Sequence, residues 1–63
     1  MKEIKEFVIR NNKSAIVTFM NGVSKMVDIH HIEECTSFYG DRYTMIWYWV
    51  NKDREDCLIY DHQ

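Results

Sequence analysis

Five side chains in this chain of 63 residues carry metal-binding chemistry: three histidines and two cysteines, namely His30, His31, Cys35, Cys57 and His62. Zinc sites usually draw their ligands from close pairs such as Cys-x₂-Cys or His-x₃-His, and the sequence contains neither pattern. Cys57 and His62 are five residues apart, so in one strand they would point to opposite faces. The spacing disfavours a zinc site, and we expect no metal and no other cofactor.

The two cysteines are too few for a disulfide scaffold, and a reducing compartment would keep them as thiols. If Gly40-Asp41 is a two-residue turn and Val50 pairs with Cys57, then Cys35 lies opposite Ile46 and both cysteines flank one central strand on the same face. They are then offset by about four residues and two strand spacings, or about 16 Å. A disulfide needs Cα atoms within about 7 Å, so we expect no bridge.

Catalytic motifs are absent from the sequence. It has no Gly-rich phosphate loop, no Gly-x-Ser-x-Gly turn and no His-Glu-x-x-His pair. The run from His30 to Glu34 places carboxylates near imidazoles, but this composition is also typical of a solvated bend. A chain of 63 residues has little material for a walled pocket. We therefore expect a protein that is not an enzyme.

Residues 42–50 form the most apolar and aromatic run of the chain, which predicts a strand. Alternation places Tyr43, Met45, Trp47 and Trp49 on one face and Thr44, Ile46, Tyr48 and Val50 on the other. Neither face is polar, so one face belongs to the core and the other needs cover by the chain or by a partner. Aromatic residues dominate the cores of small domains, which favours the face with both tryptophans as the core.

The other segments predict strands over 3–10, 15–20, 23–29, 33–38 and 57–61, separated by turns. Asn21-Gly22 predicts a two-residue hairpin loop, which places Met20 opposite Val23 and Ile16 opposite Val27. Gly40 suits a second tight reversal, and residues 51–56 predict a polar loop. The stretch 28–34 is ambiguous: it predicts at most one short helical turn, or a bend at His30-His31.

Together these patterns predict one mainly β domain over residues 1–63, with about five antiparallel strands in meander order. The strands would form a small barrel of the SH3 or Sm-like type, or an open sheet. No long amphipathic helix is predicted to cover the second apolar face. We therefore expect a homodimer or a subunit that docks on another protein.

The formal net charge is −2, from eight Lys and Arg against ten Asp and Glu, and the basic residues are scattered. This distribution argues against binding that depends mainly on phosphate contacts. The N-terminal residues lack the apolar core of a signal peptide, and no apolar run approaches the roughly 20 residues that span a bilayer. We expect a cytoplasmic protein without membrane contact.

These observations predict a small non-enzymatic protein–protein interaction module that acts as an inhibitor or adaptor of a larger bacterial or viral protein. Since either face of the aromatic strand can be the one that needs cover, the expected apolar anchors come from both faces: Tyr43, Trp47, Tyr48, Trp49 and Tyr60, with Asp41 and Arg42 as rim charges. The alternative is binding of single-stranded RNA or DNA by a small SH3- or Sm-like barrel, with the aromatic rings as stacking platforms beside Arg42, Lys52 and Arg54. Acidic residues close to these positions weaken the alternative.

Overall fold

The computed structural model describes residues 2–62, which form five strands and no helix. The strands are β1 (Lys2–Asn11), β2 (Ser14–Phe19), β3 (Ser24–Thr36), β4 (Arg42–Asn51) and β5 (Arg54–Asp61). Consecutive strands pair in antiparallel fashion. A short parallel ladder between β1 and β5 closes the sheet into a barrel. This confirms the predicted mainly β fold of about five strands, as a closed barrel with a parallel seam that was not predicted.

Aliphatic side chains and a few aromatic rings fill the barrel. The buried core consists of Ile4, Ala15, Val17, Val27, Ile46, Tyr48 and Leu58, with Phe7, Phe19, Ile29, Ile32 and Tyr60 packed against it. On β4 the inward row is therefore Thr44, Ile46 and Tyr48, and the expectation that the tryptophan face is the core is wrong. The physical reason lies on the neighbouring strands. Apolar residues flank Ile46 and Tyr48, namely Ile29, Ile32 and Leu58. Polar and charged residues flank Trp47 and Trp49, namely Asp28, His31 and Glu55, so enclosing that row would bury carboxylates.

A β-bulge in β3 keeps its isoleucines in the core. The strand pairs Ile29 with Tyr48 and Ile32 with Ile46, and the register shifts between Ile29 and His31. The extra residue changes the phase of the strand, so two isoleucines three positions apart both face inward. The predicted bend at His30-His31 is thus a bulge, and the helical turn considered over 28–34 does not form.

Two glycine turns share one construction, a three-residue loop in place of the expected two-residue loop. At the first turn the Gly22 amide donates to the Phe19 carbonyl (2.9 Å), and the Phe19 amide donates to the Val23 carbonyl (2.8 Å). At the second turn the Gly40 amide donates to the Ser37 carbonyl (2.9 Å). Both glycines have positive φ, 90° and 87°, which closes a type I turn with a bulge.

The longer loop changes the register of the first hairpin. Ile16 lies opposite Met26, and Ala15 lies opposite Val27, whereas the two-residue loop predicted Ile16 opposite Val27. A shift of one residue moves a whole row of side chains to the other face. Val27 therefore joins the core, and Met26 points outward.

Two asparagines close the remaining hairpins with two-residue loops. The Asn11 side-chain oxygen accepts from the Lys13 amide (2.8 Å), and the Asn51 side-chain oxygen accepts from the Asp53 amide (2.9 Å). Asn51 lies directly opposite Arg54, so the predicted six-residue loop over 51–56 is wrong. Its charged residues instead begin β5, because their side chains remain in solvent at the end of the barrel.

The two cysteines keep the offset that the sequence predicts, although both predicted registers are wrong. Cys35 lies opposite Tyr43 rather than Ile46, and Cys57 lies opposite Trp47 rather than Val50. Both registers are displaced by three residues in the same direction. The cysteines therefore remain four residues apart along β4, and both thiols are free.

Replacing Gly22 by Ala should lower the free energy of unfolding by about 1–2 kcal/mol, because an L-residue is strained at positive φ. An added Cβ would meet no atom within 4 Å, so the cost is backbone strain and not a clash. Urea denaturation with an unchanged m-value measures the loss. The control is Gly22→Asn, which should lose less because Asn tolerates this conformation. Equal stability of Gly22→Ala and the wild type would contradict the turn.

Candidate functional site

Closing the barrel leaves an apolar row on the outside of β4. Tyr43, Met45 and Trp47 are half-buried there, and Trp49 is 40% exposed. Neighbours on β3 and β5 complete four cross-strand rows: Cys35–Tyr43–Asp61, Glu33–Met45–Ile59, His31–Trp47–Cys57 and Asp28–Trp49–Glu55. We call the outward side of these rows, together with the bulge residue His30, the aromatic face.

The bulge in β3 orients one end of the aromatic face. The His30 ring stacks on the Trp49 indole, with centroids 4.6 Å apart and planes inclined by 27°. His30 Nδ1 also contacts the Glu55 carboxylate. His30, His31, Trp47 and Glu55 line a shallow depression of about 330 Å³. The Trp49 indole is therefore held in place by the His30 ring, which Glu55 in turn contacts.

The centre of the aromatic face covers a thiol. Cys57 lies opposite Trp47 and is only 3% exposed, although it points away from the core. Burial raises the pKa of the Cys57 thiol, and the neighbouring Asp56 carboxylate raises it further. At the other end of the face, the Cys35 thiol beside Tyr43 raises the pKa of the Tyr43 phenol. Cys57 is thus a sheltered thiol, and Cys35 is half-buried.

The structure brings together three of the five predicted anchors. Tyr43, Trp47 and Trp49 share the aromatic face, whereas Tyr48 and Tyr60 belong to the inward rows of β4 and β5. Burial raises the pKa of the Tyr48 phenol, and Asp56 contributes to the same shift. The inference that Tyr48 and Tyr60 are surface anchors is therefore corrected, because they fill the barrel.

The predicted rim charges lie at one end of the aromatic face. Asp41 is in the loop before β4, and Arg42 is the first residue of β4; both are exposed. Lys52 and Arg54 lie at the opposite end of β4, around its turn into β5. The basic residues of the nucleic-acid alternative are thus separated by the length of a ten-residue strand. Lys52 lines a shallow depression with Trp49 and Asp28, whereas Arg42 lies at the far end, so these basic residues do not form one patch beside the tryptophans.

A polar cluster at one end of the barrel combines a hydroxyl, an imidazole and a carboxylate. The Thr44 hydroxyl donates to Glu34 Oε1 (3.0 Å) and lies 2.6 Å from His62 Nε2. A hydroxyl has one proton, so His62 must donate to Thr44 through Nε2–H. Thr44 is fully buried. In this arrangement His62 is not a base for Thr44, and a substrate cannot reach the hydroxyl.

The remaining potential metal ligands are dispersed. His30 contacts Glu55, and His62 Nε2 lies 3.7 Å from Glu34 Oε2, at two separate places. Within residues 2–62, no group of three His, Cys, Asp or Glu side chains is placed to hold a metal ion. The five potential ligands that the sequence contains do not form one site.

Sequence reasoning missed a pair of aromatic residues at the tip of the β3–β4 hairpin. Phe38 and Tyr39 are 98% and 87% exposed, and their rings meet edge to face with centroids 5.6 Å apart. The Ser37 hydroxyl oxygen accepts from the Tyr39 and Asp41 amides (3.2 and 3.1 Å), which holds the loop. The only sequence signal was the presence of two aromatic residues in a turn, where polar residues are usual.

A smaller apolar row lies outside the other half of the barrel. Val8, Ile16 and Met26 occupy adjacent strands in register, and Val8 and Met26 are 56% and 59% exposed. This aliphatic row has no aromatic residue and is a natural comparison for the aromatic face.

At pH 8 in the folded protein, Cys57 should react with an aromatic disulfide reagent at least about tenfold more slowly than Cys35, because the reactive species is the exposed thiolate. Burial both shields the Cys57 sulfur and raises its pKa, which lowers its thiolate fraction at this pH. The measurement is the release of the coloured thiol from Cys35→Ser and Cys57→Ser variants. In denaturant the two rates should converge; equal rates in the folded protein would contradict a sheltered Cys57.

Comparison with known proteins adds no relative to this picture: no family model, curated protein or solved structure matches the chain. In the part of the chain that the structure describes, no helix is long and apolar enough to cross a membrane.

Proposed function

We propose that this protein is a small non-enzymatic protein–protein interaction module that binds a larger protein, as an inhibitor or adaptor, through the aromatic face. The observation that carries the proposal is the placement of Tyr43, Trp47 and Trp49 outside a barrel whose interior is already filled. Tryptophan, tyrosine and methionine are enriched at the centres of protein interfaces. An apolar surface of this kind on a small domain favours an interaction role.

The geometry of the aromatic face suits docking. Four rows on three strands span about 20 Å along β4 and about 10 Å across it. With one surrounding layer of side chains, this matches the lower range of specific protein interfaces. The side chains are held by cross-strand neighbours and, at Trp49, by His30 and Glu55. Fewer rotamers are therefore lost on binding.

Self-association is a second part of the proposal, since an apolar row outside the barrel can be covered by a second copy of the chain. The aliphatic row of Val8, Ile16 and Met26, which contains no charged residue, offers a surface for a homodimer. The two free thiols support a reducing compartment, such as a bacterial or host cytosol, as the place of action.

The decisive variant is Trp47→Ser with Trp49→Ser, and the matched control is Val8→Ser with Met26→Ser on the aliphatic row. Immobilised wild-type protein should capture a specific protein from a bacterial lysate, and the tryptophan variant should lose at least about 30-fold in affinity for it, because interface anchors contribute about 2 kcal/mol or more. The control should retain capture. Isothermal titration with the purified partner measures the affinities, and circular dichroism checks folding. Equal affinity of both variants would contradict the proposal.

The homodimer is tested by the native mass at micromolar concentration. The chain has a mass of 7.7 kDa, and we expect twice that value. The variant that restores the monomer identifies the face used, the tryptophan pair or the aliphatic pair. A monomeric wild-type protein would remove the homodimer and leave the binding of another protein to be tested by capture.

A further inference from the structure

Resting on the proposed function, we infer that the aromatic face recognises a protein segment that carries arginine or lysine side chains next to apolar ones. The observation is the charge at its outward positions. The four rows hold four carboxylates and no lysine or arginine: Asp28, Glu33, Glu55 and Asp61. Glu3 extends the Met45 row by one more carboxylate, since it lies opposite Ile59 across the seam.

The carboxylates border the aromatic rings on both long sides. Asp28 and Glu33 lie on β3, and Glu55 lies on β5, with the rings of β4 between them. Neighbouring strands are about 4.8 Å apart, so a cation above a ring is within reach of a carboxylate on either side. Aromatic faces attract cations through their quadrupole, and tryptophan does so most strongly. Carboxylate and ring thus favour the same ligand charge.

The His30 ring shows that this arrangement accepts a flat nitrogen heterocycle. It stacks on Trp49 and contacts Glu55 at the same time. Trp47, in the next row, has no ring stacked on it within residues 2–62. A planar guanidinium has the shape and the donors to occupy the equivalent position above Trp47, with Glu33 in the adjacent row as acceptor.

The charge distribution also disfavours two other ligands of the aromatic face, a second copy of the chain and a nucleic acid. A second copy docked face to face would place carboxylates against carboxylates, and like charges in an interface are strongly unfavourable. A nucleic acid would bring phosphates to the same carboxylates, while Arg42 and Lys52 lie at opposite ends of β4. A cationic protein segment is the macromolecule that this border attracts.

The test uses the full chain labelled with ¹⁵N and three blocked peptides of twelve residues, in which leucine alternates with arginine, glutamine or glutamate. The chain has two tryptophans, so its indole N–H signals report on the aromatic face directly. At millimolar concentration the Leu–Arg peptide should shift both indole signals, with an affinity at least about tenfold above that of the Leu–Gln peptide, from one cation–π contact and its ion pairs. The Leu–Glu peptide should be the weakest.

A matched pair of variants separates the border charges from the net charge. Glu33→Gln removes a carboxylate next to Met45, and Glu6→Gln removes one on β1, where it lies opposite Thr18. We expect about a threefold loss of Leu–Arg affinity for Glu33→Gln and none for Glu6→Gln, since exposed charge pairs are worth up to about 1 kcal/mol. Equal effects would overturn the inference.

Other outcomes distinguish this inference from the proposed function. Equal binding of the three peptides, or no indole shift with the Leu–Arg peptide, would overturn the inference, and the capture experiment would still decide the proposed function. A stronger indole shift with a twelve-nucleotide oligothymidine would overturn it in favour of nucleic acid. A homodimer abolished by Trp47→Ser would overturn it in favour of a second copy.

Discussion

Side chains alternate across a strand, and β4 carries apolar residues on both sides. When a narrow barrel closes around such a strand, only one of its rows can be enclosed. Here Ile46 and Tyr48 are enclosed together with Thr44, and the row with both tryptophans stays outside. The composition of the core and the existence of the aromatic face thus both follow from which row of β4 faces the interior. A one-residue shift in register that turned the other row of β4 inward would exchange core and surface residues over the whole sheet.

The bulge at His30 affects both the core and the outer surface of the barrel. Without the extra residue, Ile29 and Ile32 would face opposite sides, and β3 could not line the core along its length. The same residue leaves the ladder and places an imidazole on Trp49 and against Glu55. Bulges often re-aim a side chain close to functional positions. In this barrel, the device that completes the core also builds one end of the aromatic face.

The sequence predicts the strands and their turns because alternation, Asn-Gly and Gly40 are local signals. Registers are harder to predict, because one more residue in a glycine loop shifts every residue pair of the two strands that the loop joins. The pairing of Ile16 with Met26 is an example. The choice of core face is not a local property either. Both rows of β4 are apolar, and the polar residues that flank Trp47 and Trp49 are known only once the strand registers are known. The three aromatic residues of the site that point outward were found by alternation, whereas Phe38 and Tyr39 were missed because they lie in a turn.

An exposed apolar face is a liability for a protein of this size, since it invites non-specific association. Carboxylates on both sides of the aromatic row oppose that association, because two copies that meet face to face repel each other. The same carboxylates attract a ligand of opposite charge. Under the proposed function, resistance to association through this face and selectivity for a cationic partner therefore have one physical source. Three carboxylates have both effects, repulsion between copies and attraction of a cation, and none belongs to the core: Asp28 and Glu33 on β3, and Glu55 on β5.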